Sequence, residues 1–297
     1  MTDVVIVGGS VAGLSAALLL ARCRREVIVC DEGLPRNRFS HQMHGFLSRE
    51  GIPPSEFLQI SRDQIAEFPN VRFHRDRIIS IRGEGDGFEA ETKDGIVFRC
   101  SIILLATGIV DELPDLPGIE TLYGRTVHHC PYCDGWEHRD ESLAVYGKGE
   151  AALELAKEML TWSTDVVYFS DGLILSESAR AKLAALGVGL VEKKIASLVG
   201  NGGKLEMVKL ADGENYPRQA MFFVSSQRQN CDLARQLGCE LKDEFVTCDN
   251  EAKTCVPGLY VAGNTSTGLQ LAIVAAAEGA KAAHSINTEL NERATAR

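Results

Sequence analysis

Asp3-Val4-Val5-Ile6-Val7, then Gly8-Gly9-Ser10-Val11-Ala12-Gly13, then an apolar run to about Cys23, is the stretch that decides the fold. A β-rich run, a tight glycine turn and a helical run predict a βα unit. In such a unit backbone N–H groups and the helix N-terminus face a pyrophosphate. Gly8 and Gly13 hold two of the three positions of a G-x-G-x-x-G fingerprint. The middle position is Ser10, small, but with a side chain that limits close backbone approach. A second strand, Glu26 to Cys30, ends at Asp31, an acid placed to bind a ribose hydroxyl. The competing reading is a tight βα turn in some other α/β fold.

The pattern returns. Ser142 to Tyr146 reads as a strand, and Gly147-Lys148-Gly149-Glu150-Ala151-Ala152 follows as G-x-G-x-x-A. An alanine-rich helix then runs to about Leu160, and the next strand, Asp165 to Phe169, ends in Ser170-Asp171-Gly172. This internal repeat predicts a second nucleotide-binding domain, with Gly147, Gly149 and Ala152 as its turn. A 2′-phosphate needs cations after that strand, and none occurs before Arg180. Asp171 repels a 2′-phosphate, and Glu150 adds negative charge where a pyrophosphate would lie, partly offset by Lys148. NADPH is therefore disfavoured on electrostatic grounds, while NADH, or no nicotinamide at all, stays open. So does a retained fold with an altered pocket.

Between the two repeats stands Cys130-Pro131-Tyr132-Cys133-Asp134-Gly135-Trp136-Glu137. Two thiols two residues apart close readily into a reducible disulfide, and such pairs lower the pKa of one cysteine. Asp134 puts proton supply beside them. A structural zinc site usually needs a second pair at similar spacing, and no other two of the nine cysteines stand two residues apart. A redox pair is expected and no metal. His128 and His129 precede the pair. A histidine there can carry protons or lower a thiol pKa, which makes His129 a catalytic candidate. The competing reading is one packed and one exposed histidine. Tyr132 and Trp136 read as shields of the disulfide rather than substrate contacts.

The rest of the chain fits two medium domains. It has 297 residues, 45% of them hydrophobic, and a net charge of −10. That balance, with no basic run, argues against nucleic acid as a partner, and no apolar run is long enough to span a bilayer. Val11 to Leu20 lacks the positive flank of a signal peptide. Nine cysteines without an export signal indicate a reducing cytoplasm. A helix is expected over Ser55 to Phe68, a β-meander around Phe88 to Thr92, and a buried strand over Ile102 to Ala106 leading into Thr107-Gly108. Leu113 to Gly118, with two prolines, reads as a linker, and Ser176 to Leu186 as an amphipathic helix. Gly258 to Asn264 reads as a short strand entering a turn. A long helix from Gln270 to about Asn287 points its N-terminus, Gln270-Leu271-Ala272, where a dipole stabilises negative charge on a bound ring.

Together these motifs resemble the low-molecular-weight thioredoxin reductase family of FAD-dependent disulfide oxidoreductases, from Asp3 to about Ala283. They stand in that family's order: the turn at Gly8 to Gly13, Ala106-Thr107-Gly108, the Cys130 to Gly135 set, the turn at Gly147 to Ala152, and Ala262-Gly263-Asn264. The Cys-Pro-Tyr-Cys-Asp-Gly-Trp-Glu form and the Arg36-Asn37 to His44-Gly45-Phe46-Leu47 segment resemble a branch that includes gliotoxin-type dithiol oxidases and reductases that do not use NADPH.

The resemblance implies an α/β protein of two Rossmann-like three-layer domains, the first interrupted by the second. The FAD domain would span about 1–112 and 246–297, and the disulfide domain about 113–245. FAD would be held by Gly8, Ser10, Gly13, Asp31, Asn37, Thr107, Gly108, Gly263, Asn264, Gln270, Leu271 and Ala272. Cys133 would be the flavin-facing thiol, Cys130 the thiol that attacks a partner disulfide, and Asp134 the proton donor and acceptor. Members are usually homodimers whose domains rotate to turn the disulfide between flavin and substrate. The substrate would be a thioredoxin-like protein or a small dithiol or disulfide. Two departures stand out: Asn264 where the family usually has Asp, and Ser170-Asp171-Gly172 in place of its basic motif. Three rivals remain open: an ordinary NADPH-dependent thioredoxin reductase, a flavin-bound redox sensor without turnover, and a zinc-stabilised module.

Overall fold

The computed structural model describes residues 2–266 and 268–296. Their contacts divide into two compact units, one from the described residues of Met1–Arg38, Gly45–Val110 and Gln227–Arg297, the other from Phe39–His44 and Asp111–Ser226.

In the first unit the opening strand, Thr2–Val7, lies at the centre of a sheet. It pairs in parallel with Val27–Cys30 on one side and with Val97–Leu105 on the other. Val71–His74 extends the sheet beyond Val27–Cys30. Gly87–Thr92 and Ile78–Glu84 complete the other side as an antiparallel meander. The C-terminal strand Leu259–Val261 pairs in parallel with the end of Val97–Leu105. Alternate side chains of the central strand enter opposite cores, as expected of a parallel strand covered on both faces. Val4 and Ile6 pack with Leu14, Ala17 and Leu20 of the helix Val11–Arg22 and with Ala282 and Ile286 of the helix Ala272–Thr295. Val5 and Val7 pack with Ile81, Phe88, Leu233 and Val246. The last helix crosses the first closely because Gly279 lacks a side chain: a Cβ there would lie 2.1 Å from the Ala12 carbonyl oxygen. That helix runs eight residues past its expected end near Asn287, and Arg25 holds this extension by donating to Asn287 and Asn291.

The second unit repeats the architecture. Gly189–Val191, Val166–Phe169, Leu143–Tyr146, Ala220–Phe223 and Val127–His128 form a five-stranded sheet, in that order and all parallel. The helices Gly149–Glu158 and Glu177–Ala185 cover one face through Ala152, Leu153, Ala156 and Leu183. Ser176 caps the second of these, its hydroxyl accepting from the Ala179 amide at 3.2 Å. The other face carries a three-stranded antiparallel sheet, Ile195–Asn201, Lys204–Leu210 and Asn215–Pro217.

Three placements differ from the sequence expectations. Leu113 to Gly118 is not a free linker: Leu116 is buried in the second unit's core, Leu113 packs on it, and the Leu198 amide donates to the Pro117 carbonyl at 2.8 Å. Gly118 is required there, with φ +94° and the Leu198 carbonyl oxygen 2.2 Å from where a Cβ would sit. Residues 227–245, expected in the disulfide domain, pack in the first unit through Leu233, Ala234 and Cys239. Phe39–His44, expected in the FAD domain, belongs to the second unit. Phe39 packs on Tyr123 in a tilted pair, ring centroids 5.6 Å apart, and His44 Nε2 lies 3.5 Å from Glu137.

Leu104 is fully buried among the helices of the first unit. Leu104→Ala is expected to cost about 3 kcal/mol through lost burial and a residual cavity, read as an earlier denaturant midpoint.

Candidate functional site

The first unit gathers the expected dinucleotide residues at the carboxyl ends of its parallel strands, where ligands bind in such folds. Gly8, at φ +107°, leaves the central strand beside the Ala106 carbonyl oxygen, which a Cβ would approach to 2.3 Å. Gly13 crosses the Gly8 carbonyl so closely that a Cβ would lie 1.9 Å from its oxygen. The helix that starts at Val11 has no side-chain cap and no acid in its first turn, so its leading N–H groups and dipole are offered to an anion. Ser10 sits at that N-cap in extended conformation. Asp31 follows the second strand, and Arg62 donates to its carboxylate at 2.9 Å and to the Gly9 carbonyl at 3.2 Å.

Thr107-Gly108 and Gly263-Asn264 follow two more of these parallel strands. The Gly108 amide donates to the Thr265 hydroxyl at 2.8 Å, and Thr107 Oγ1 is 3.4 Å from that hydroxyl. Asn230 donates to the Thr107 carbonyl at 3.3 Å. Gly263, at φ +70°, packs against Ala12 and donates its amide to Glu278 at 2.8 Å. Asn264 follows, half-buried, in a short 3-10 turn. Leu271 is the N-cap residue of the last helix and Ala272 its first residue. Gln270 exchanges hydrogen bonds with Gln227 at 2.6 and 3.0 Å and accepts from Arg36, neighbour of Asn37 in the turn Arg36–Phe39. Arg62, Thr265, Gln227 and Asn230 escaped the sequence reading, because each becomes relevant only through tertiary contact. These residues fit a bound dinucleotide: glycines where side chains would clash, an uncapped helix N-terminus that could face a pyrophosphate, and a carboxylate after the second strand.

The repeated turn in the second unit is built differently. Gly147 and Gly149 both take positive φ, at 153° and 78°, and Ala152 is fully buried under the strand. Here the helix carries Glu150 in its first turn, which opposes an anion at that terminus. Lys148 Nζ lies 3.1 Å from the Asp171 carboxylate. Burial first, and then Asp171 beside it, pushes the Tyr146 hydroxyl up to about 12.

Cys130 and Cys133 are joined as a disulfide, their Cα atoms 5.3 Å apart. Cys130 is the N-cap and Pro131 the first residue of a one-turn helix, Pro131–Asp134, a position proline tolerates because its missing N–H is not needed. Gly135 closes the turn against Trp162, whose ring lies 2.7 Å from where a Cβ would stand. Tyr132 and Trp136 are 70% and 65% exposed. Tyr132 meets the Trp162 edge at 5.9 Å, and the Arg139 guanidinium stacks over Trp136 at 4.4 Å.

The two histidines before the disulfide part ways. His129 contacts the Tyr123 hydroxyl at 3.1 Å and Asp111 at 3.7 Å. His128 is buried, and it is His128 Nδ1 that lies 3.3 Å from Asp134. Its Nε2 is 3.0 Å from His138 Nε2, and His138 Nδ1 is 2.8 Å from Glu141. Neither His138 nor Glu141 was among the expected site residues. The only sequence signal was a histidine five residues beyond Cys133.

Four of the remaining cysteines are set apart. Burial pushes the Cys30 and Cys100 thiols up to about 12 and raises Cys231 and Cys239. Buried thiols held neutral are poor nucleophiles. Among the described residues no cluster of His, Cys, Asp or Glu is arranged to hold a metal ion, and no helix is long and apolar enough to cross a membrane.

Residues 2–279 match the family model described as pyridine nucleotide-disulphide oxidoreductase. Thioredoxin reductase tcpT of Claviceps purpurea is 29% identical over 98% of this chain and 94% of its own length. The crystal structure of HlmI superposes with a TM-score of 0.95 at 35% identity, covering 99% of this chain and 94% of that one. A thioredoxin reductase candidate, TrxB of Bacillus anthracis, superposes with a TM-score of 0.95 at 32% identity, covering 99% of both chains.

Proposed function

Because the chain belongs to the pyridine nucleotide-disulphide oxidoreductase family and is thioredoxin reductase-like, we propose that it exchanges electrons between bound FAD, the Cys130–Cys133 disulfide and an external dithiol or disulfide, with little use of NADPH. The observation that carries this reading is the disulfide itself, on a one-turn helix with Asp134 in the next position. FAD bound at the Gly8 to Gly13 turn supplies the two-electron chemistry that makes or breaks that bond.

The chain's own residues do the rest. Cys130 forms a mixed disulfide with the substrate sulfur and Cys133 resolves it, in the ordinary course of thiol–disulfide exchange. Asp134 holds the proton that the departing or attacking thiol gives up. Tyr132 and Trp136, both exposed, offer a substrate an aromatic face next to the disulfide. A thioredoxin-like protein or a small dithiol fits this chemistry, and a homodimer in the cytoplasm is the setting we infer.

Electrostatics support the reading against NADPH. Lys148 is engaged by Asp171, Glu150 stands in the first turn of the helix, and the strand end that would meet a 2′-phosphate carries a carboxylate. Anaerobic titration of the purified yellow protein with NADPH, NADH and then dithiothreitol tests this. The flavin absorbance is expected to bleach with the dithiol and to stay unchanged on the timescale of seconds with NADPH. Rapid bleaching by NADPH would make the protein an ordinary NADPH-dependent thioredoxin reductase instead.

A further inference from the structure

Asp134, His128, His138 and Glu141 form a continuous chain of contacts at 3.3, 3.0 and 2.8 Å. The two imidazoles in the middle are buried, 4% and 8% exposed, while the Glu141 side chain is 32% exposed. Phe222 packs on both rings, at 5.5 and 6.1 Å. The polar groups that meet the pair are Asp134, Glu141 and the Arg125 carbonyl, 3.0 Å from His128 Nε2.

Acceptor-only partners orient the hydrogens. In the resting arrangement the Arg125 carbonyl favours a proton on His128 Nε2, and that N–H also faces His138 Nε2. The Glu141 carboxylate favours a proton on His138 Nδ1, which leaves His138 Nε2 as the acceptor. His128 Nδ1 then faces the Asp134 carboxyl as an acceptor. When Asp134 carries a proton, every donor in the chain points from Asp134 toward Glu141.

We propose that His128, His138 and Glu141 form a proton relay that connects Asp134, next to the redox disulfide, with solvent. A proton passing from Asp134 Oδ1 to His128 Nδ1 displaces the Nε2 proton onto His138 Nε2, whose Nδ1 proton passes to Glu141 and then to water. Both imidazoles end neutral with their tautomers exchanged, and no heavy-atom bond changes. The reversed set of donors carries a proton back, so the relay serves disulfide formation and reduction alike. A substrate joined to Cys130 as a mixed disulfide lies against the one-turn helix and obstructs direct access of water to Asp134. The relay opens at its other end.

This inference rests on the proposed dithiol–disulfide chemistry, and the experiment separates the two. Flavin reduction by dithiothreitol is followed anaerobically by stopped flow for the holoprotein and its His138→Gln, Glu141→Gln and Glu141→Asp variants, from pH 5.5 to 9, in H2O and D2O. The two Gln variants are expected to slow the reaction roughly 10- to 100-fold, as a lost proton-transfer group does. They should leave the dithiothreitol concentration dependence near wild type, shift the pH profile and enlarge the solvent isotope effect. Glu141→Asp, which keeps the carboxylate, should retain most of the rate. Folded Gln variants with wild-type rate, pH profile and isotope effect would overturn the relay and leave the disulfide chemistry standing. A wild-type protein that does not react with dithiothreitol would remove both.

Discussion

Cys130→Ser is expected to purify yellow and folded, and to turn over a dithiol or disulfide roughly a thousandfold or more slowly than wild type, because the residue that forms the covalent intermediate is gone. Cys133→Ser should be as slow but distinguishable. Cys130 can still attack a disulfide substrate, and nothing resolves the product, so a mixed disulfide accumulates and appears in the intact mass as one added substrate half. Folding should change little in either variant. A disulfide across two intervening residues closes a very short loop, and the chain-entropy model gives it only about 2 kcal/mol. Cys100→Ser is the internal comparison: Cys100 is buried and its thiol is held neutral, so it should keep full activity. Turnover at wild-type rate by either Cys130→Ser or Cys133→Ser would remove the disulfide from the mechanism altogether.

Much of the geometry of the first glycine turn was legible because its signals are local. Val4 to Val7 alternate into two cores and are β-branched throughout. Gly8 and Gly13 stand where a Cβ would meet backbone at 2.3 and 1.9 Å, so their spacing in sequence directly reports a contact. The Cys130–Cys133 pair is local for the same reason. What escaped was tertiary. The position of Asp31 after the second strand is a local signal, but its pairing with Arg62 joins residues 31 apart along the chain. His128 and His129 looked alike in sequence, and only the placement of Tyr123, Asp111, His138 and Glu141 separates them. The prolines of Leu113 to Gly118 suggested a linker, yet Leu116 and Ile119 are apolar enough to bury, and they do. The antiparallel sheet over residues 195–217 went unread although Asn201-Gly202 is a strong hairpin signal. The alternation of its first two strands is broken by register shifts near Ser197 and Gly200.

Gly13→Ala is expected to yield protein that is largely colourless and destabilised by roughly 3–5 kcal/mol, at the top of the range for a single substitution. Gly13 lies inside a regular helix, where alanine is ordinarily preferred by about 1 kcal/mol. The expected effect therefore has the opposite sign to helix propensity and comes wholly from the close approach: a methyl group 1.9 Å from the Gly8 oxygen and 3.2 Å from Ile6 must push the turn off the strand. That displaces the N–H groups proposed to hold the FAD pyrophosphate, so stability and cofactor content fall together. The ratio of flavin to protein absorbance and a thermal melt with and without added FAD measure both. Gly95→Ala separates crowding from backbone strain. Gly95 takes φ +85° but has nothing within 4 Å of the added Cβ, so only the left-handed conformation is penalised, by about 1–2 kcal/mol, and the protein should stay yellow. If Gly13→Ala bound FAD as well as Gly95→Ala does, the first turn would not be the pyrophosphate site. The open helix N-terminus at Val11 would then need another explanation.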